Sequence, residues 1–546
     1  MAQSQLMRSR ALAVALLVAC CLVAADVSLR GSHAAAFQSV SEGFDLEEVT
    51  IQSLLQDQQT GRRSARQIAE QYLARIQALD RTGPTLGSVI EVNPDALTIA
   101  DALDAERRTR GSRGPLHGIP VLIKDNIDTA DRMSTTAGSL ALEGSIATRD
   151  AFIVERLRDA GAVILGKTNL SEWANFRSTH STSGWSGRGG LVRSPYALDR
   201  NPCGSSAGTG AGIAANFATI GVGTETDGSI VCPSGASSLV GIKPTVGLVS
   251  RSGIIPIAHS QDTAGPMTRT VEDAAILLGV LSGADPRDPA TTTVARPRLV
   301  DYRASLDANG LRGARIGVAR AKFFGYSDVT DTIAGAAIER MNELGAVIVD
   351  PANIPNAGSY DASELDVLLY EFKADLDAYL GALGPAAKVH SLGDVIAFNE
   401  ANRSREMPFF GQELMLQAQR KGPLTDKAYR DALAKNLRLS RKQGIDAVMD
   451  RLHLDAIVAP TGSPPWTTDL VNGDHFVGSS STPAAVAGYP SITVPAGYGF
   501  GQPVGISFIG RAWSEPLLIK LAYAYEQATK HRRPPRFLPT ADLGVR

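Results

Sequence analysis

Phe152-Ile153-Val154-Glu155-Arg156-Leu157-Arg158-Asp159-Ala160-Gly161-Ala162-Val163-Ile164-Leu165-Gly166-Lys167-Thr168 sets a helix directly before a strand, and that pairing decides the fold class. Phe152 to Arg158 reads as a helix. Ala162 to Leu165, apolar and partly β-branched, reads as a short buried strand. Gly161 to Thr168 also spells the phosphate-loop pattern G-x-x-x-x-G-K-[ST]. That pattern needs a loop between its glycines whose amides cradle phosphate. Here those residues make the strand itself, so nucleotide binding is rejected.

The same alternation extends outward. Ser64-Ala65-Arg66-Gln67 is a capping box that opens a helix with Ile68, Tyr72 and Ile76 on one face. Ala211 to Ala218 reads as a small-residue helix packed in the core. Ala314 to Val318, Ala346 to Val349, Ser491 to Val494 and Val504 to Phe508 read as strands. Leu365, Leu368, Leu369, Phe372 and Leu376 have helical spacing, as do Tyr429, Ala432, Leu433 and Leu437. A last helix spans Pro516 to Thr529. Helices interleaved with short apolar strands argue for an α/β core with a mixed, mostly buried sheet. Residues 290–450 or thereabouts read as a helical flank or lid, where specificity determinants are expected.

At 546 residues the chain is ample for a large core, and 44% hydrophobic with 20% charged residues is ordinary for a soluble globular protein. A net charge of −2 gives no sign of nucleic acid as a partner. Glycine, at 53 residues, implies many tight turns. The first 25 residues contain no acid, and Arg8 and Arg10 precede the apolar run Ala11 to Ala25. That arrangement reads as a secretory signal peptide, its apolar run short for a membrane span, and a flexible leader is expected over 26–43. Leu17-Val18-Ala19-Cys20 matches a lipobox and would give a lipid anchor at Cys20. The apolar run continues past Cys20, which suits a chance match. The expected location is therefore exported, periplasmic or secreted, with membrane contact only through Cys20.

Three short segments carry the chemistry. Lys124 lies in Gly118-Ile119-Pro120-Val121-Leu122-Ile123-Lys124-Asp125-Asn126. Ser205 lies in Cys203-Gly204-Ser205-Ser206-Ala207-Gly208. Ser229 lies in Gly223-Thr224-Glu225-Thr226-Asp227-Gly228-Ser229-Ile230. A lysine ending an apolar run is ordinarily a strand-terminal residue reaching solvent, and a lone Gly-Ser-Ser or Asp-Gly-Ser is ordinarily a turn. Together they are the kit for a serine nucleophile that needs no histidine.

In this order, with Gly166-Lys167-Thr168-Asn169-Leu170-Ser171-Glu172, Gly241-Ile242-Lys243-Pro244-Thr245-Val246-Gly247 and Asp262-Thr263-Ala264-Gly265-Pro266-Met267, the segments resemble the amidase signature family from about Leu46 to Thr529. Within it, Ser171-Glu172-Trp173-Ala174-Asn175-Phe176 and Ser229-Ile230-Val231-Cys232-Pro233 are most similar to the peptide amidases, which remove C-terminal amides from peptides. The resemblance implies a single large α/β domain over 44–546. Its signature core lies at about 110–290, and C-terminal strands and a helix at about 451–530. It also implies a metal-independent hydrolysis of a carboxamide to acid and ammonia. Ser229 would attack and form an acyl-enzyme, Ser205 would relay the proton, and Lys124, neutral through burial beside Val121, Leu122 and Ile123, would be the base. The backbone around Thr226, Asp227, Gly228 and Ser229 would hold the carbonyl oxygen. Gly204 would permit a cis peptide before Ser205, and Ser206 would support the network. Trp173 and Trp185 are candidate substrate contacts.

The expected partner is a small amide or peptide amide, with no cofactor, no metal and no obligate protein partner. The eight histidines show no paired ligand spacing. An amidotransferase subunit fits less well, since an export signal is foreign to that cytosolic work. A fatty-amide hydrolase would want an apolar membrane-binding face, and none is evident. A non-catalytic exported binding protein would tolerate loss of Lys124, Ser205 or Ser229, and all three are present. Gly204 to Gly208 also fits the hydrolase elbow G-x-S-x-G, which would make Ser206 the nucleophile and recruit His453, His475 or His531. Its lead-in, Leu198 to Cys203, reads as a turn rather than a strand. Past the signal peptide only Cys203 and Cys232 remain; small buried thiols are favoured over a disulfide.

Overall fold

The short apolar runs become neighbours in one sheet. The computed structural model describes residues 43–292 and 301–543. The expected signal peptide, Cys20 and nearly all of the leader lie outside the described residues. Residues 48–546 form one compact unit; the described part of residues 1–47 is a turn. The strands are β1 (Val89–Val92), β2 (Pro120–Lys124), β3 (Val163–Thr168), β4 (Trp185–Ser186), β5 (Gly190–Leu191), β6 (Ile220–Glu225), β7 (Val240–Lys243), β8 (Thr263–Thr268), β9 (Arg315–Val318), β10 (Val347–Val349), β11 (Ala456–Pro460), β12 (Ser491–Gly499) and β13 (Gln502–Ile509). β4 and β5 pair alone; the others form an 11-stranded sheet in the order β1-β3-β2-β6-β8-β7-β12-β13-β11-β9-β10.

The sheet is mixed, as the sequence led us to expect. β2 runs parallel to both β3 and β6, while β6–β8, β8–β7, β7–β12 and β12–β13 are antiparallel. β2, β3, β6, β8, β11 and β13 are buried along their whole length, which explains why they read as continuous apolar or small-residue runs. Lys167, in the phosphate-loop look-alike, is a β3 residue. Its buried ammonium donates to Ile127 O at 2.6 Å and Thr135 Oγ1 at 2.9 Å.

Helices cover this sheet. α1 (Ala65–Arg75) begins with the capping box: Gln67 N donates to Ser64 Oγ and Ser64 N to Gln67 Oε1. α2 (Phe152–Asp159) leads into β3. α3 (Ala207–Ala214) is the small-residue helix, but it starts at Ala207 and ends before Asn216, whose φ of 60° is left-handed and breaks the helix. The expected span of Ala211 to Ala218 is therefore set too late. α4 (Val231–Ala236) follows the Ser229 turn.

The helical flank is α5 (Asp361–Gly381), α6 (Leu392–Ala401), α7 (Glu413–Gln419) and α8 (Lys427–Ser440). Leu369, Phe372 and Leu376 of α5 pack with Leu392 and Val395 of α6 and with Leu414 and Met415 of α7. Val367 and Tyr370 face Tyr429 and Ala432 of α8. The Phe372 ring meets Phe176 edge-on, with centroids 5.0 Å apart, joining flank to core. A buried Arg177 makes a second join. It pairs with Glu172 on the core side and donates to Glu406 O at 2.5 Å on the flank side. α9 (Glu515–Thr529) closes the chain. Among the described residues no helix is long and apolar enough to cross a membrane.

Phe372 is fully buried, so Phe372→Ala is expected to cost about 3–5 kcal/mol. Urea denaturation followed by circular dichroism should show the midpoint falling; an unmoved midpoint would sink the packing account.

Candidate active site

Because β2 and β6 run parallel, their C-terminal ends fall side by side, where open α/β sheets place ligands. Lys124 is the last residue of β2 and Thr224–Glu225 end β6. The lysine does not reach solvent: it is fully buried. Its amine donates to Ser205 Oγ at 2.8 Å, Thr224 Oγ1 at 2.9 Å and Thr224 O at 3.3 Å. Burial lowers its pKa to about 7, against the opposing pull of the Asp262 and Glu225 charges.

The Gly204–Ser205 peptide is cis. A Cβ at Gly204 would stand 2.2 Å from Ser171 Oγ, so a side chain there would force Ser171 to move. Ser205 O accepts from Ser171 N at 3.0 Å, which fixes the segment against β3's exit. Ser206 is buried with its hydroxyl engaged: it donates to Thr224 O at 3.1 Å and accepts from Thr224 N at 3.2 Å. Its own N–H donates to Ser229 O at 3.2 Å, tying the two serine segments.

The turn after β6 carries Thr226 to Ser229. Gly228 has φ +82°, the left-handed geometry this tight turn requires. The Glu225 carboxylate accepts from Ile230 N at 2.7 Å and Val231 N at 2.9 Å, holding the start of α4 just past Ser229. Thr226 Oγ1 donates to Asp262 Oδ1 at 2.5 Å, while Asp262 Oδ2 accepts from Ile257 N and Ala258 N. Burial pushes the Asp262 carboxyl up to about 6. Asp227 accepts from Thr482 Oγ1 at 2.7 Å, and burial raises its pKa. The N–H groups of Asp227, Gly228 and Ser229 have no protein acceptor among the described residues.

Ser205, Thr226, Asp227, Gly228 and Ser229 line one cavity of about 520 Å³. Its lining, among the described residues, holds no lysine or arginine. Cys203 and Cys232 line it as well, and they are joined in a disulfide with Cα atoms 6.0 Å apart. The expected free thiols are thus corrected. The α3 lead-in meets the Ser229 turn where Ser206 N bonds Ser229 O, and this brings the two cysteines within disulfide reach.

The two candidate tryptophans go elsewhere. Trp173 starts a left-handed run with Ala174 and Asn175, at φ 50°, 54° and 73°. The run sends the Trp173 ring into the apolar cluster with Leu369 and Phe372, and leaves Ala174 and Asn175 on the cavity wall. Trp185 is buried edge-on to Phe409 and Phe410 beneath the Arg177 guanidinium. The tryptophan that does line the cavity is Trp466, whose Nε1 donates to Asp474 Oδ1 at 3.2 Å. Asp474 also accepts from Ser183 N and Asn201 Nδ2. Thr224 and Glu225 stood inside a segment already singled out, and the strand-then-turn reading could have found them. Trp466 and Asp474 had no local signal. None of His453, His475 and His531 lines the cavity.

A family profile described as "Amidase" matches residues 67–519. The fold is similar to the crystal structure of the native peptide amidase from Stenotrophomonas maltophilia, with a TM-score of 0.87 and 51% identity over 90% of this chain and 99% of that one. The sequence is 43% identical to a "Probable amidase" of Arabidopsis thaliana over 91% of this chain and 93% of the relative. It is 34% identical to a glutamyl-tRNA(Gln) amidotransferase subunit of Pseudomonas aeruginosa over 86% of this chain and 96% of the relative. Profile, sequence and fold agree over nearly the whole described chain, and it belongs to the amidase family of amide-hydrolysing enzymes.

Proposed function

We propose that this enzyme hydrolyses the C-terminal carboxamide of peptides to the free acid and ammonia, through Ser229, Ser205 and Lys124. The observation that carries the reading is the buried Lys124 amine bonded to Ser205 Oγ at 2.8 Å beside the cavity that holds Ser229. Near neutral pH much of that amine is unprotonated and can take a proton. Ser229 Oγ attacks the carbonyl carbon; its proton passes to Ser205 Oγ as the Ser205 proton passes to Lys124 Nζ. The carbonyl oxygen, now negative, lies against the free N–H groups of the Asp227–Ser229 turn. The chain of transfers runs back to protonate the departing nitrogen, and ammonia leaves an acyl-enzyme. Water, deprotonated by the same relay, releases the acid and restores Ser229.

Three observations favour a neutral peptide amide over other amides. The cavity is large enough for more than a bare carboxamide. Its described lining offers no lysine or arginine to hold a free carboxylate, and the enzyme is similar to a peptide amidase. Ser206 as nucleophile has nothing in its favour, since its hydroxyl is spent on Thr224. We further propose that the enzyme is exported, on the strength of the apolar run after Arg8 and Arg10.

Ammonia release from a dipeptide amide and from benzamide tests both substrate and mechanism. Lys124→Ala is expected to lower kcat by about 10²–10⁴-fold, and Ser229→Ala by at least about 10⁴-fold. Full activity in either variant would overturn the relay, and release from benzamide alone would discard the peptide substrate.

The pH dependence follows from Lys124. Its folded pKa is depressed, so the active, neutral form dominates above about pH 7 and is lost below it. We expect kcat/KM to fall about tenfold per pH unit below that point and to level off above it. A profile flat from about pH 5 to 9 would exclude Lys124 as the base.

A further inference from the structure

The Cys203–Cys232 disulfide lies where a catalytic geometry would be set. Cys203 directly precedes the cis Gly204–Ser205 peptide, and Cys232 lies in the first turn of α4, just after Ser229. Both half-cystines line the substrate cavity, with Trp466 and Ala236 packed against them. The two segments they join are otherwise held to one another by Ser206, whose N–H donates to Ser229 O at 3.2 Å and whose hydroxyl pairs with Thr224 O and Thr224 N. Each also has its own anchor. Cys203 N donates to Asn201 Oδ1 at 2.8 Å, and Cys232 N donates to Gly228 O at 2.8 Å. Those anchors and the Ser206 bonds fix the segments at their sheet-facing side, and the disulfide is the covalent tie between them on the cavity side.

We infer that the disulfide is a positioning element that holds Ser205 in register with Ser229, so that turnover depends on the oxidised pair. This rests on the relay reading of Ser205 and Ser229. Opening the bridge leaves the substrate cavity and the oxyanion turn in place, because Glu225 holds Ile230 and Val231 and Asp262 holds Thr226 independently. What it removes is the covalent tie on the cavity side, leaving the spacing of Ser205 and Ser229 to the hydrogen bonds of Ser206 and Ser171 alone. A displacement of about 1 Å in a proton-relay geometry can cost about 10²-fold in rate. Turnover should therefore suffer and substrate affinity should not. An exposed dithiol reagent can reach the bridge through the cavity. It gives two electrons and two protons to the S–S bond, leaves two cysteine thiols, and departs as its own cyclic disulfide.

The test compares the full chain, its Cys203→Ser/Cys232→Ser double variant, and the wild type opened with dithiothreitol. Alkylation and mass mapping would report the state of Cys203 and Cys232, and circular dichroism the fold. The expected result is a fall in kcat of about 10²-fold with KM nearly unchanged. Activity should return on reoxidation of the wild type and stay low in the double variant. If the double variant does not fold, the reduced and still folded wild type decides; if the bridge resists reduction, the folded double variant decides. Wild-type kcat in whichever species is folded and lacks the bridge overturns the inference. A rise in KM equal to the loss of kcat/KM overturns it too, since that is a binding effect. Ser229→Ala run alongside separates the two failures. If it is active, the relay reading falls. If it is inactive while the bridgeless enzyme turns over normally, only the role of the disulfide falls.

Discussion

Everything around the cavity answers to one constraint: an amine buried at the end of β2 must find acceptors or be expelled. Lys124 is fully buried, and an unsatisfied charge there would cost several kcal/mol. Two of its acceptors come from Thr224, which the parallel pairing of β2 and β6 delivers to the right depth. The third is Ser205, brought in by a segment whose Gly204 sits tightly against Ser171. Glu225 and Asp262 hold the neighbouring turns and lend negative potential that moderates the loss of the ammonium form. The sheet's mixed topology thus serves a local purpose: it sets one strand end beside another and fills the gap with a helix of very small residues, α3.

Much of this was legible in the sequence. Continuous apolar runs announced strands buried on both faces, and the capping box at Ser64 announced a helix start. Both are signals confined to a few residues, so no tertiary knowledge is needed to read them. The Lys124, Ser205 and Ser229 segments converge as the motifs suggested. What failed has a common physical cause. α3 was placed too late because a run of alanine and glycine has no periodic face to fix its ends, and Asn216 ended it through backbone conformation alone. Trp173 and Trp185 were expected at the substrate because aromatic size does not say which way a left-handed turn will aim the ring. The disulfide depended on two loops meeting, which spacing along the chain does not encode.

The helical flank shows how a region of different character is made part of one body. Its apolar faces close over one another, yet its attachment to the core is partly ionic. Arg177 stands between Glu172 and Glu406, and burial together with the second carboxylate raises the Glu172 pKa well above the usual range. The cation–π contacts of the Arg177 guanidinium gather Phe410 from the flank and Trp185 from β4 around that centre. The cavity wall supplied by Leu368 and Leu414 is therefore only as well placed as this buried ionic join permits.

A cavity without lysine or arginine has a consequence for the direction of traffic. The amide enters uncharged, but hydrolysis converts it to an anion in a chamber whose lining includes the carboxyl groups of Asp227 and Asp474 and no lysine or arginine among the described residues. The chemistry itself changes the sign of the fit. On the proposed reading, each turnover makes a molecule that finds no lysine or arginine among the described walls to hold it, so the product is matched to the chamber less well than the substrate it came from.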